Sequence, residues 1–244
     1  MLSVRMLVCS LMLAASITRM AFGGDAPAAD KAQAEADKKA LSPMKNFVGE
    51  WRGTGALKDD PVKGAWIEEG EWAWQFKGGR ASLVFAAPKG KYYSAGKLDA
   101  GEKGDFHFSA TLPDGKGHDE FSGEVNKDGD LVLTTPTPGE GRPGRITISM
   151  VAKGKRMVMS YQRALRKDQY TPIAELGLTL KGSGFGKSID MRECIVTGGT
   201  GKIQVSYKGQ TYYVCCGGCR DEFNENPEKV LAEFKKRKEE EKMK

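Results

Sequence analysis

From Met44 to about Lys181 apolar and polar residues alternate with a period of two, run after run, and this alternation restricts the chain to one class of fold. In "AWIEEGEWAWQF", Trp66, Trp72, Trp74 and Phe76 fall on one face of an extended chain, with Ile67, Glu69, Glu71 and Gln75 on the other. Shorter runs of the same kind follow: "ASLVFAA", "YYSAGKLD", "DFHFSATL", "DEFSGEV", "DLVLTT", "RITISMV", "RMVMSYQR" and "AELGLTLKG". Turn residues separate them, among them Pro113-Asp114-Gly115 and Lys127-Asp128-Gly129-Asp130. Nine or ten strands at hairpin spacing, with no helical run between them, predict an antiparallel β-barrel or sandwich over residues 43–182. Closure is preferred because it leaves no strand edge to protect.

The flanks read differently. Arg5 precedes the apolar run "MLVCSLMLAASI" and then Ala21-Phe22-Gly23. A basic flank, an apolar stretch too short to span a bilayer and small residues at a cleavage site predict that residues 1–23 are a signal peptide. The expected mature protein starts near Gly24, is periplasmic or extracellular, and has no transmembrane segment. Removing Arg5 and Arg19 lowers the net charge from +6 to +4, and no basic stripe of the kind nucleic acid requires remains. Residues 24–42, "GDAPAADKAQAEADKKALS", carry no large apolar side chain but Leu41 and are expected to form a disordered linker or a frayed helix. The glycine- and serine-rich residues 183–188 read as a hinge, and the charge run at 237–244 as a solvated helix end or frayed tail.

Between hinge and tail, residues 189–236 predict a small α+β module. "KIQVSY" and "QTYYVC" flank a compact turn at Lys208-Gly209. A glycine corner leads into a helix, which Asn226-Pro227-Glu228 restarts. Phe223, Val230, Leu231 and Phe234 recur at helical spacing and give it one apolar face. So small a core needs a metal, disulfides or a partner domain to hold it.

The chain has five cysteines, and all but Cys9 lie between positions 194 and 219. Such confinement excludes a chain-wide disulfide framework and indicates local chemistry. A hairpin of this length returns Cys215 beside Cys194, and the Gly217-Gly218 corner turns Cys219 inward. Thiolates gathered in this way suit Zn(II) and Cu(I). Two alternatives stand beside metal binding. In an oxidising compartment the thiols form two plain disulfides, or Cys216-Gly217-Gly218-Cys219 carries thiol–disulfide redox chemistry.

Two stretches resemble known families. Gly49-Glu50-Trp51 resembles the Gly-x-Trp of the first strand in lipocalins and other calycins, and Gly49-x-Trp51-x-Gly53-x-Gly55 is similar to the nitrobindin branch. The resemblance implies that Trp51 plugs the closed end of the barrel while the glycines let the first strand bend. It also implies a cavity for a small apolar ligand or haem. Nitrobindins hold haem through a histidine on a late strand, whereas this chain has only His107 and His118, both mid-barrel, so haem is not expected. Trp66, Trp72 and Trp74 are the candidate ligand-lining residues of a hollow barrel.

The second resemblance is to the YHS domain and the related TRASH module. It runs through Cys194, Val205-Ser206-Tyr207-Lys208-Gly209, Tyr212-Tyr213, Cys215-Cys216, Cys219, Phe223 and Asn226-Pro227-Glu228-Lys229. It implies metal binding through Cys194, Cys215 and Cys219. Ile195 stands where a proline usually follows the first cysteine, and the module has no histidine. A four-coordinate Zn(II) site would therefore need Cys216, a carboxylate such as Asp221 or Glu222, or water, whereas three-coordinate Cu(I) needs no fourth donor. Adjacent strand residues point to opposite faces, so Cys215 and Cys216 can both ligate only where the strand has broken.

These readings predict an exported transition-metal-binding protein for delivery, storage or sensing, with a metal-handling protein as partner. No Ser/His/Asp grouping, carboxylate pair or nucleotide loop points to an enzyme. The competing expectations are a barrel for small hydrophobic ligands with a structural cysteine appendage, and a thiol–disulfide redox protein.

Overall fold

A computed structural model describes residues 28–166, 168–183 and 192–243. The expected signal peptide, and all of the hinge but Ser183, lie outside these residues. The alternating region forms ten strands: β1 (Gly49–Leu57), β2 (Trp66–Lys77), β3 (Arg80–Ala86), β4 (Ala95–Ala100), β5 (Phe106–Thr111), β6 (His118–Val125), β7 (Leu131–Thr134), β8 (Arg145–Val151), β9 (Arg156–Arg166) and β10 (Gln169–Leu180). Each pairs antiparallel with its neighbours in sequence, and β10 returns to pair with β1, closing the barrel. Trp51 stands opposite Leu180 in that seam, and Gly49 opposite Trp72 on the β2 side. Among the described residues no helix is long and apolar enough to cross a membrane.

The alternation read from β2 maps onto its two faces. Trp72 and Trp74 are buried and Trp66 and Phe76 half-buried, while Ile67, Glu69, Glu71 and Gln75 are exposed. Trp72 is stacked on Phe108 at 5.9 Å and lies 5.1 Å from Phe85, so it is packed core. Trp74 stacks on Phe76 at 5.9 Å, and Trp66 stands edge-on to Tyr92 at 6.3 Å. One acid shares the inward face: Glu68, only 4% exposed, accepts hydrogen bonds from Trp66 Nε1 at 3.0 Å and from the Lys91 N–H at 3.2 Å. Burial, the largest influence, still pushes its carboxyl above the usual range.

A 3₁₀ turn over Ser42–Phe47 covers one end of the barrel with Met44 and Phe47, and the fully buried Trp51 donates its Nε1–H to Phe47 O at 2.7 Å. The two histidines are on the outside, His107 facing Asp105 and His118 facing Glu120.

Of the two expectations for 24–42, a disordered linker and a frayed helix, the helix is the one found. Ala28–Ala40 form a helix, α1, packed along β3. Its Ala, Lys and Glu content favours a helix, anchored by a buried carboxylate and by the fully buried Leu41 just beyond its end. Asp37, 3% exposed, accepts from Arg80 Nε at 2.6 Å, from Arg80 Nη2 at 3.2 Å and from the Ala81 N–H at 3.1 Å. A search for large apolar residues overlooks such an anchor.

C-terminal to the barrel, β11 (Ile203–Tyr207) and β12 (Gln210–Val214) form the hairpin, with Lys208 and Gly209 both at positive φ in the turn. Helices α2 (Gly217–Glu225) and α3 (Pro227–Lys242) complete the module. Phe223 is its central ring, contacted by Tyr207 and Tyr212 at 6.3 and 5.9 Å. Of the readings of the run at 237–244, the helix end describes it: through Lys242 it continues α3.

Candidate metal centre

Three separate segments bring thiols to one point. Cys194 lies in a tight loop: its N–H donates to Gly199 O at 2.7 Å, and the Gly198 N–H donates back to Cys194 O at 2.8 Å. The Ile195 N–H donates to Tyr213 O at 3.0 Å, which ties this loop to β12 just before Cys215. Cys215 follows β12 directly, and Cys219 lies in the first turn of α2, where free backbone N–H groups favour negative charge. The Sγ atoms of Cys194, Cys215 and Cys219 lie within 4.8 Å of one another, those of Cys215 and Cys219 at 3.4 Å. All three residues are at most 3% exposed, and no disulfide joins the four cysteines between 194 and 219.

Residues 196–232 match the YHS domain. The match spans the hairpin, Cys215, Cys216, Cys219 and the start of α3, and begins two residues beyond Cys194. No curated protein matches the chain. Among solved structures, the chain is similar to Rv2717c from M. tuberculosis, with 17% identity and a TM-score of 0.40, covering 58% of this chain and 97% of that one.

The sulfurs of the site do not share charge equally. Burial opposes ionisation of Cys194, yet hydrogen bonds from Cys215, Cys219 and Thr197 outweigh it and hold this thiol far below the usual range. Cys215 is pushed up, chiefly by its hydrogen bonds with Cys194 and Cys216, and Cys219 is pushed up by burial and then by the same neighbours. Ionisation is therefore favoured at Cys194 and also at Cys216, which hydrogen bonds from Cys215 and Cys219 lower to about 3, while Cys215 and Cys219 favour their protons. A bound cation is what allows Cys194, Cys215 and Cys219 to be thiolates together.

Cys216 borders the trio, hydrogen-bonded to Cys215 and Cys219, without belonging to it. Its Sγ is 4.0 Å from that of Cys215 but outside the group of three, and it accepts the Trp74 N–H of the barrel at 3.4 Å. Neither Asp221 nor Glu222 joins the group; Glu222 lies instead in a cleft with Gln75 and Phe76. Trp72 and Trp74 are core residues and Trp66 lies farther along β2, while the Trp74 backbone touches Cys216.

Two residues of the site went unread in the sequence. Thr197, 8% exposed, places its hydroxyl 3.6 Å from Cys215 Sγ. Arg237, inside the stretch taken for a solvated helix end or tail, donates from Nη2 to Cys194 O and Ile195 O at 3.3 and 3.2 Å and from Nη1 to Val196 O at 3.4 Å. It also pairs with Glu193 at 3.2 Å. The spacing from Phe234 to Arg237 on α3 was the available signal, since residues three apart share a helix face.

Proposed function

We propose that this is an exported metal-binding protein that holds one Cu(I) ion in preference to Zn(II) through Cys194, Cys215 and Cys219, for delivery, storage or sensing. The observation that carries this reading is the number of convergent donors. Three buried thiols meet, and the fourth is engaged with the barrel backbone. Zn(II) in a structural site almost always takes four ligands, whereas soft thiolates select Cu(I) and need no fourth donor to do so. The YHS match supports metal binding in general. Export is supported by the composition of residues 1–23. Full burial of the ligands suits holding an ion rather than exposing it to a substrate, so the protein is read as a binder and not an enzyme.

The test is a titration of the reduced full-length protein with Cu(I) and Zn(II), each against a chromophoric chelator. One equivalent of Cu(I), held far more tightly than Zn(II) and lost in Cys194→Ser, Cys215→Ser and Cys219→Ser, is expected. Tighter zinc binding would overturn the choice of metal, and binding that survives all three substitutions would overturn the site.

A further inference from the structure

The cysteine turn and the barrel fit each other in a way that metal binding by the module alone does not require. β1 and β2 stay in register only as far as Gly49 and Trp72, so β2 from Ala73 to Lys77 has an edge that β1 does not cover. Such an edge carries unmet N–H and C=O groups. The cysteine turn lies along it. Cys216 is extended (φ −155°, ψ 175°), and its Sγ accepts the Trp74 N–H at 3.4 Å, two residues beyond the last pair with β1. Gly218 sits so close that a Cβ there would be 2.0 Å from Trp74 O. The fit is repeated on the barrel side. Gly49 has φ +141°, and a Cβ on it would be 2.6 Å from Nζ of Lys202, which belongs to the module. Gly218 leaves room for the barrel backbone, while Gly49 lies between Lys202 of the module and Leu180 of the barrel itself, whose Cδ1 the same Cβ would meet at 2.7 Å.

Ion pairs brace the same union. Lys38 of α1 reaches Glu233 of α3 at 3.1 Å, and Lys229 reaches Glu35 at 3.3 Å. The helix that packs on β3 therefore also grips the module.

We infer that Cys216 is a docking residue rather than a metal ligand, and that metal in the three-thiol site tightens the seating of the cysteine turn on the free edge of β2. The inference rests on the metal-binding reading above. Cys215 and Cys219 bracket Cys216 and Gly218, the two residues that touch β2. Fixing both sulfurs on one ion fixes the backbone between them, and with it the positions of Cys216 Sγ and Gly218. Coupling of this kind is reciprocal: whatever seats the turn on the barrel also raises metal affinity, and typical couplings are about 5- to 150-fold. The barrel then acts as the reader of the module's metal state.

Amide hydrogen exchange at Trp74, in the reduced full-length protein with and without one equivalent of Cu(I), is the direct test. Protection of this amide is expected to rise by about tenfold or more on loading. Cys216→Ala and Gly218→Ala are each expected to keep one equivalent of Cu(I), lose most of that protection and bind the ion about tenfold more weakly. Gly218→Ala keeps every thiol, so it separates docking from sulfur chemistry. Loss of the metal equivalent in Cys216→Ala would make Cys216 a ligand and overturn the inference. So would wild-type protein that binds Cu(I) while Trp74 exchanges unchanged, and that result would leave the metal-binding reading intact. Wild-type protein that binds no metal would bring down both.

Discussion

Arg237→Ala tests whether the metal centre depends on a residue that lies outside the hairpin and the cysteine turn. The guanidinium gives three N–H···O bonds, at 3.2 to 3.4 Å, to the carbonyls of Cys194, Ile195 and Val196. These lengths are at or beyond the long end of the usual range, so about 1 kcal/mol each is a reasonable figure for bonds from this charged donor. The pair with Glu193, both side chains about a quarter exposed, adds little. Freeing the long side chain returns about 1–2 kcal/mol of rotamer entropy, leaving a net loss of about 1–2 kcal/mol. Since that loss falls on the loop presenting Cys194, Cu(I) affinity is expected to drop by about five- to thirtyfold. Competition against a chromophoric chelator measures it. Arg237→Lys, which keeps the charge beside Glu193 but not the fork, is expected to lie between the two. If Arg237→Ala binds Cu(I) within twofold of wild type, the bonds of Cys194 N–H and Ile195 N–H hold the loop alone and the reasoning is wrong.

Three further outcomes follow from the same geometry. Because Cys215 and Cys219 hold their protons above the usual thiol range, loading must displace them, so metal affinity is expected to rise with pH with a slope approaching about two protons per ion; a pH-independent affinity refutes this. Burial opposes ionisation of Asp37, but the bonds from Arg80, Gln33 and Ala81 lower its pKa below 3.8. The stability it contributes is therefore present above pH 3.8 and lost as pH falls through the lower folded value, so Asp37→Asn is expected to melt a few degrees below wild type near neutral pH and to converge with it in acid. Phe223→Ala removes the ring against which Tyr207 and Tyr212 pack, at a cost of about 3–5 kcal/mol, and denaturant titration is expected to show the module unfolding before the barrel.

The barrel was legible because period-two burial is a local property. Each inward residue of β2 can be counted from Trp66, and the turn residues mark where each strand ends. Closure followed from the cost of leaving edges open. The convergence of Cys194, Cys215 and Cys219 was legible because a hairpin fixes where its two ends meet. What escaped was polar and long-range. Asp37 anchors α1 through a partner 43 residues away, and Arg237 holds carbonyls more than 40 residues before it. Neither leaves a hydrophobic signature. Cys216 was legible as an extra thiol but not as an acceptor for Trp74, since that contact spans 142 residues and depends on where β1 stops. The hinge and tail boundaries came from composition alone, and composition did not distinguish a solvated charge from Arg237, which is turned back onto the site.

X-ray absorption at the copper edge of the Cu(I)-loaded full-length protein, repeated on Cys216→Ser, tests the central claim most directly. A shell of three sulfur neighbours, unchanged by the substitution, is the predicted result. A four-donor shell, or one that loses a sulfur in Cys216→Ser, would contradict it.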